Sequence, residues 1–128
     1  MVSPRRKVLV VDDSATVRAQ VVQILSASYE CVEAQDGKDG YDRALKERPD
    51  AVVADLEMPQ MDGLGLLRAL RQNPQTQTLP VVIITTVTAV EAVNQCRALG
   101  CAGFVLKPVQ SEYLLAKLRR LLVTPAPA

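Results

Sequence analysis

Short apolar runs alternate along the chain with stretches whose apolar residues recur every three or four positions. The valine-rich run Lys7–Val11 reads as a buried strand. Val17, Val21, Ile24 and Leu25 then share one helical face, with Ser14 or Asp13 placed to cap it. Residues 29–34 alternate weakly, as a more exposed strand does. Asp36-Gly37 opens a second helix that runs to about Arg48, where Pro49 stops it. Residues 51–54 form a third strand, and Gly63 to about Gln72 carries Leu64, Leu66, Leu67 and Leu70 at helical spacing. The stretch "LPVVIITT" is β-branched nearly throughout and gives the fourth strand. Thr88 and Glu91 have the spacing of a capping box for a fourth helix, which Gly100 ends. Residues 102–106 are a fifth strand. Ser111 is expected to cap a last helix with Leu114, Leu115, Leu118, Leu121 and Leu122 on its apolar side.

The order is strand then helix, five times over. Short strands that are apolar throughout, each followed by a helix, imply an α/β fold: a parallel sheet covered on both faces, a three-layer sandwich. Right-handed crossovers restrict the topology. Five strands suit the flavodoxin-like order 2-1-3-4-5, not a barrel of eight. Residues 1–123 read as one domain, and 124–128, "TPAPA", as a stiff tail or linker stub.

Composition removes several function classes. The chain has no histidine, which excludes Ser-His-Asp and Cys-His catalysis and histidine-ligated zinc. Its three cysteines, Cys31, Cys96 and Cys101, lack CxxC spacing and read as small buried thiols. A net charge of +1 and the absence of tryptophan argue against direct binding of nucleic acid or an anionic membrane. The basic start "MVSPRRK" precedes only four apolar residues, too few for a secretory core of roughly 7–15. No stretch approaches the roughly 20 residues of a membrane span, and a cytoplasmic location is expected.

The chemistry sits where the strands end. In open α/β sheets, ligands bind beyond the carboxyl ends of the strands, near the point where strand order reverses. The first strand ends in Asp12-Asp13, the third in Asp55, the fourth in Thr85-Thr86 and the fifth in Lys107-Pro108. Asp12, Asp13 and Asp55 are therefore expected to converge. Three bare carboxylates would repel one another. Lys107 offsets one charge, and a divalent cation would offset the other two. Oxygen ligands without His or Cys select Mg²⁺ or Mn²⁺ over zinc.

These residues carry a resemblance. Over about residues 5–123 the chain resembles the receiver domain of two-component response regulators, especially the chemotaxis-type and single-receiver members. The matching segments are "VLVVDDS", "VVADLEMPQMDG", "LPVVIITT" and "GCAGFVLKP". The resemblance implies that Asp55 is the phosphoacceptor. It implies that Asp12, Asp13, Asp55 and the backbone carbonyl of Glu57 hold Mg²⁺. Lys107 would pair with Asp55 and then with a phosphoryl oxygen. Thr85 would turn its hydroxyl to the phosphoryl group, Phe104 would fill the space it leaves, and the Lys107–Pro108 peptide would be cis. The donor would be a sensor histidine kinase or phosphotransfer protein. The output would be a downstream protein or an attached effector domain, reached through the surface of the fourth helix, fifth strand and fifth helix. The domain would be a regulatory phosphoacceptor, not an enzyme with a turnover substrate, and a monomer or weak homodimer.

Some positions depart from the common pattern. Thr86 stands where the family usually has Ala or Gly, Phe104 lacks the hydroxyl of the frequent Tyr, and Val109 replaces a frequent Phe. Glu57 and Val87 occupy positions that tune phosphoryl lifetime. Two other readings compete. Haloacid-dehalogenase-like phosphatases also use Asp, Mg²⁺, Thr or Ser and Lys, but carry the nucleophile on the first strand in a DxD motif. A pseudo-receiver would keep the fold as an interaction module without phosphorylation, against which stand the intact acids and Lys107.

Overall fold

Five strands and five helices alternate without interruption in a computed structural model that describes residues 5–86 and 90–122. They are β1 (Lys7–Val11), α1 (Ala15–Leu25), β2 (Glu30–Ala34), α2 (Gly37–Glu47), β3 (Ala51–Asp55), α3 (Gly63–Gln72), β4 (Val81–Thr85), α4 (Val90–Ala98), β5 (Gly103–Leu106) and α5 (Ser111–Leu121). All strand pairs are parallel, in the order β2-β1-β3-β4-β5. This is the flavodoxin-like topology expected from the sequence.

Strand side chains point alternately to the two faces. Leu9, Val11, Val52, Ala54, Val81 and Ile83 pack with Ala44 of α2, Leu66, Leu67 and Leu70 of α3 and Cys96 of α4. Val8, Val10, Ala51, Val53, Val82, Ile84 and Val105 pack on the other face with Val21 and Leu25 of α1 and Leu114 and Leu118 of α5. The sheet is thus buried between two helical layers, which is why its strands read as unbroken apolar runs. Each fully buried Leu or Ile contributes roughly 1.5–3 kcal/mol. β2 lies at the edge and is the more exposed strand, as its weak alternation predicts.

Helix ends follow local chemistry. The Ser14 hydroxyl accepts from Val17 N–H at 3.2 Å, Asp36 Oδ1 from Asp39 N–H at 2.7 Å and Asp62 Oδ1 from Gly65 N–H at 2.8 Å. After α4, Gly100 adopts φ +73°. Gly100 N–H then bonds the Arg97 carbonyl at 2.9 Å and Cys101 N–H the Cys96 carbonyl at 3.0 Å, a Schellman closure. Arg71 ties α3 to this turn by donating to the carbonyls of Leu99 at 2.9 Å and Gly100 at 3.0 Å, and to Leu79 ahead of β4 at 2.8 Å.

One cap differs from expectation. Leu114 N–H bonds the Gln110 carbonyl at 3.0 Å, so the helix starts one residue early. Gln110 is the N-cap, without a side-chain bond, and Ser111 is the first helical residue. The Thr88 capping box, Val87 and the 124–128 tail lie outside the described residues. No described helix is long and apolar enough to cross a membrane.

Candidate functional site

The site is built where β1 and β3 leave the sheet. These neighbours flank the point of strand reversal, so the residues that end them meet. Asp12 is fully buried, and Asp55, the last residue of β3, is 5% exposed. Asp13 is exposed. One carboxylate oxygen from each of the three lies within 4.8 Å of the others. Asp12 Oδ1 accepts Ser14 N–H at 2.8 Å, and Asp55 Oδ1 accepts Glu57 N–H at 3.4 Å.

Lys107 joins the two buried acids. Its Nζ is 3.3 Å from Asp55 Oδ2 and 3.5 Å from Asp12 Oδ2. Its backbone N–H donates to the Thr85 carbonyl at 2.8 Å, which fixes the end of β5 beside the end of β4. The Lys107–Pro108 peptide is cis, as the resemblance implied. Thr85 is fully buried next to this pair of strand ends. Burial pushes the Asp55 carboxyl above its ordinary value and the Asp12 charge adds to that, while Lys107 and the Glu57 N–H pull it down.

The cluster fits a hard divalent cation. Asp12 Oδ2 is buried and accepts no hydrogen bond. Asp12, Asp13 and Asp55 each place a carboxylate oxygen in the cluster, and among the described residues Lys107 is the one cation within 4 Å of the two buried acids. An oxygen-only donor set of this kind suits Mg²⁺. The Glu57 carboxylate lies outside the cluster. It accepts from the Thr86 hydroxyl at 3.4 Å, so two exposed side chains bridge the mouth beside Asp55. An open cleft of about 540 Å³ runs from Asp13 and Glu57 toward Asp62. Phe104 is partly buried against the core on the α3 and α4 face.

Two residues matter here in ways the sequence pattern does not show. Gly63 reads as a plain helix start, yet its N–H bonds the Leu56 carbonyl at 2.9 Å. A Cβ there would sit 2.5 Å from the Asp55 carbonyl oxygen and 2.9 Å from Leu56 Cα. Both obstacles are backbone and cannot swing aside. Gly63→Ala is expected to cost about 1–3 kcal/mol in chemical denaturation, because the loop behind Asp55 must shift. Arg18 reaches the Asp12 carbonyl, a contact that no spacing rule anticipates.

Residues 8–119 match the family model described as response regulator receiver domain. The chain belongs to the receiver domain family. This receiver is 38% identical over 122 residues to the response regulator MprA of Mycolicibacterium vanbaalenii, covering 94% of this chain and 52% of that protein. It is 42% identical over 106 residues to a protein-glutamate methylesterase/protein-glutamine glutaminase of Archaeoglobus fulgidus, covering 80% and 30%. The receiver therefore spans about half or less of these curated relatives. The chemotaxis protein CheY4 of Vibrio cholerae superposes with a TM-score of 0.87 at 37% identity, covering 92% of the receiver and 99% of CheY4.

Proposed function

We propose that this receiver takes a phosphoryl group onto Asp55 from a histidine kinase or phosphotransfer protein and thereby switches a partner or an attached output domain. One observation carries the reading: Lys107 Nζ lies within salt-bridge distance of both buried carboxylates, in a cluster whose three acids come from two adjoining strand ends.

The residues divide the work. An Asp55 carboxylate oxygen attacks phosphorus, the bond from phosphorus to the donor breaks, and the donor leaves with that electron pair. Lys107 balances Asp55 before transfer and a phosphoryl oxygen after it. Asp12, Asp13, Asp55 and the Glu57 carbonyl would hold Mg²⁺, which when bound neutralises carboxylate and phosphoryl charge. The Thr85 hydroxyl then turns to the new acceptor, and the Phe104 ring moves into the space behind it. This biases a two-state equilibrium of the α4, β5 and α5 surface. The unit that does this is residues 1–123, a regulatory phosphoacceptor in the cytoplasm, acting as a monomer or weak homodimer.

Incubation with acetyl phosphate and Mg²⁺ tests the reading. It predicts one added phosphoryl group, labile in base and mapped to Asp55 after borohydride trapping. Labelling elsewhere, or none with the donor intact, would refute it.

A further inference from the structure

The phosphoryl chemistry above makes no use of Arg18, yet Arg18 grips the site. Its Nη1 donates to the main-chain carbonyl of Asp12 at 2.6 Å, and its Nε donates to Glu33 Oε1 at 3.0 Å. The side chain is 19% exposed. Helical side chains lean toward the helix N-terminus. Arg18 lies four residues past the Ser14 cap, so its guanidinium reaches back over the first turn to the β1 exit.

The placement is electrostatically adverse. A helix N-terminus favours anions, and α1 has no acid in its first turn. A cation is held there by the Asp12 carbonyl just past β1 and by the half-exposed Glu33 carboxylate on β2. The consequence falls on Asp12 and Asp13. Asp12 N–H is tied to the Ala34 carbonyl at 3.1 Å and its Oδ1 to Ser14 N–H. Arg18 adds a charge-assisted bond to the carbonyl, which orients the plane of the Asp12–Asp13 peptide. The Asp13 carboxylate, exposed, shows no hydrogen bond or ion pair among the described residues. The direction of its Cα–Cβ bond is set by its own backbone, downstream of that peptide.

We propose that Arg18 is a positioning residue for the cation site. By fixing the peptide between the two acids it aims Asp13 at the cation shared with Asp12 and Asp55. This rests on the Mg²⁺ reading given above. The sign of the effect separates the idea from simple electrostatics. A positive charge beside the site repels a cation, so Coulomb's law alone has Arg18→Met tighten Mg²⁺ binding and Arg18→Lys leave it unchanged. Positioning has both weaken it, because lysine keeps the charge but lacks the planar fork that holds two acceptors.

Titration of the folded chain with Mg²⁺ at fixed ionic strength, followed by amide NMR, decides between them. Arg18→Met is expected to weaken Mg²⁺ affinity about tenfold and Arg18→Lys by less, with the amide spectra showing both folded. Should the Met variant fail to fold, the Lys variant carries the test. Unchanged affinity in the folded variants would reduce Arg18 to a structural contact and overturn the proposal. Tighter binding by Arg18→Met would overturn it in favour of charge alone. Wild-type protein that does not bind Mg²⁺ would overturn the metal reading, and this inference with it, whereas normal wild-type binding isolates any failure to Arg18.

Discussion

Asp55→Asn is expected to accept no phosphoryl group from acetyl phosphate and, in metal-free protein at neutral pH, to be more stable than the wild type. The first effect follows from chemistry: an amide oxygen is too weak a nucleophile to form the mixed anhydride. The second follows from the surroundings of the carboxylate. Burial and Asp12 raise the Asp55 pKa above its unfolded value. The unfolded chain therefore releases that proton at a lower pH than the native one. Native stability from this group is fully present below the ordinary carboxylate pKa and is lost as pH rises through the raised native pKa. At neutral pH the ionised Asp55 is thus a destabilising group. Asn removes its charge and with it the repulsion from the buried Asp12 carboxylate. A gain on the order of 1–2 kcal/mol is expected. The gain should shrink in acid, where the wild-type carboxyl is protonated, and on adding Mg²⁺. Denaturant melts across pH with and without Mg²⁺ measure this.

Lys107→Met works in the opposite direction on stability. Among the described residues, Lys107 is the cation within 4 Å of both Asp12 and Asp55. Methionine keeps the length of the stem and removes the charge. Two buried carboxylates then face each other with no lysine between them, and stability at neutral pH should fall by on the order of 3 kcal/mol. The loss should diminish as pH falls and Asp55 takes up a proton. Phosphorylation by acetyl phosphate should slow on the order of 10²-fold if Lys107 has the proposed role of balancing charge on the phosphoryl oxygens. The double variant Asp55→Asn with Lys107→Met should lose less stability than the two single effects summed predict, because each side chain's effect depends on the other. Equal stability losses at all pH values would mean that Lys107 acts through packing of its stem, not through the acids.

The fold was legible because every inner strand is buried on both faces. Val8 to Val11 and Val81 to Ile84 leave no polar position to blur the reading. The acids were legible for the complementary reason: Asp12 ends the β1 run and Asp55 ends the β3 run, at one rim of the sheet. Other features were not. "DD" does not reveal that Asp12 is buried and Asp13 exposed, since that depends on where β1 leaves the sheet. Ser111 has the chemistry of a cap, but the helix starts from the Gln110 carbonyl, and cap position is decided by one hydrogen bond. Gly63 looks like any helix-opening glycine until the Asp55 backbone is placed against it. Arg18 looks like a solvated helix residue, because its partners come from the residue after β1 and from β2 and are adjacent only once the sheet has formed.

The proposed function requires four strand ends to form one pocket able to hold a cation and a phosphoryl group together. Beryllofluoride, a tetrahedral mimic of a phosphoryl group on a carboxylate, tests it through fluorine and amide NMR on the intact chain. Bound fluorine signals are expected only when Mg²⁺ is present, with joint amide shifts at Asp13, Asp55, Thr85 and Lys107, and no bound signal in Asp55→Asn. Bound signals that persist in Asp55→Asn, or their absence from wild-type protein with Mg²⁺, would contradict it.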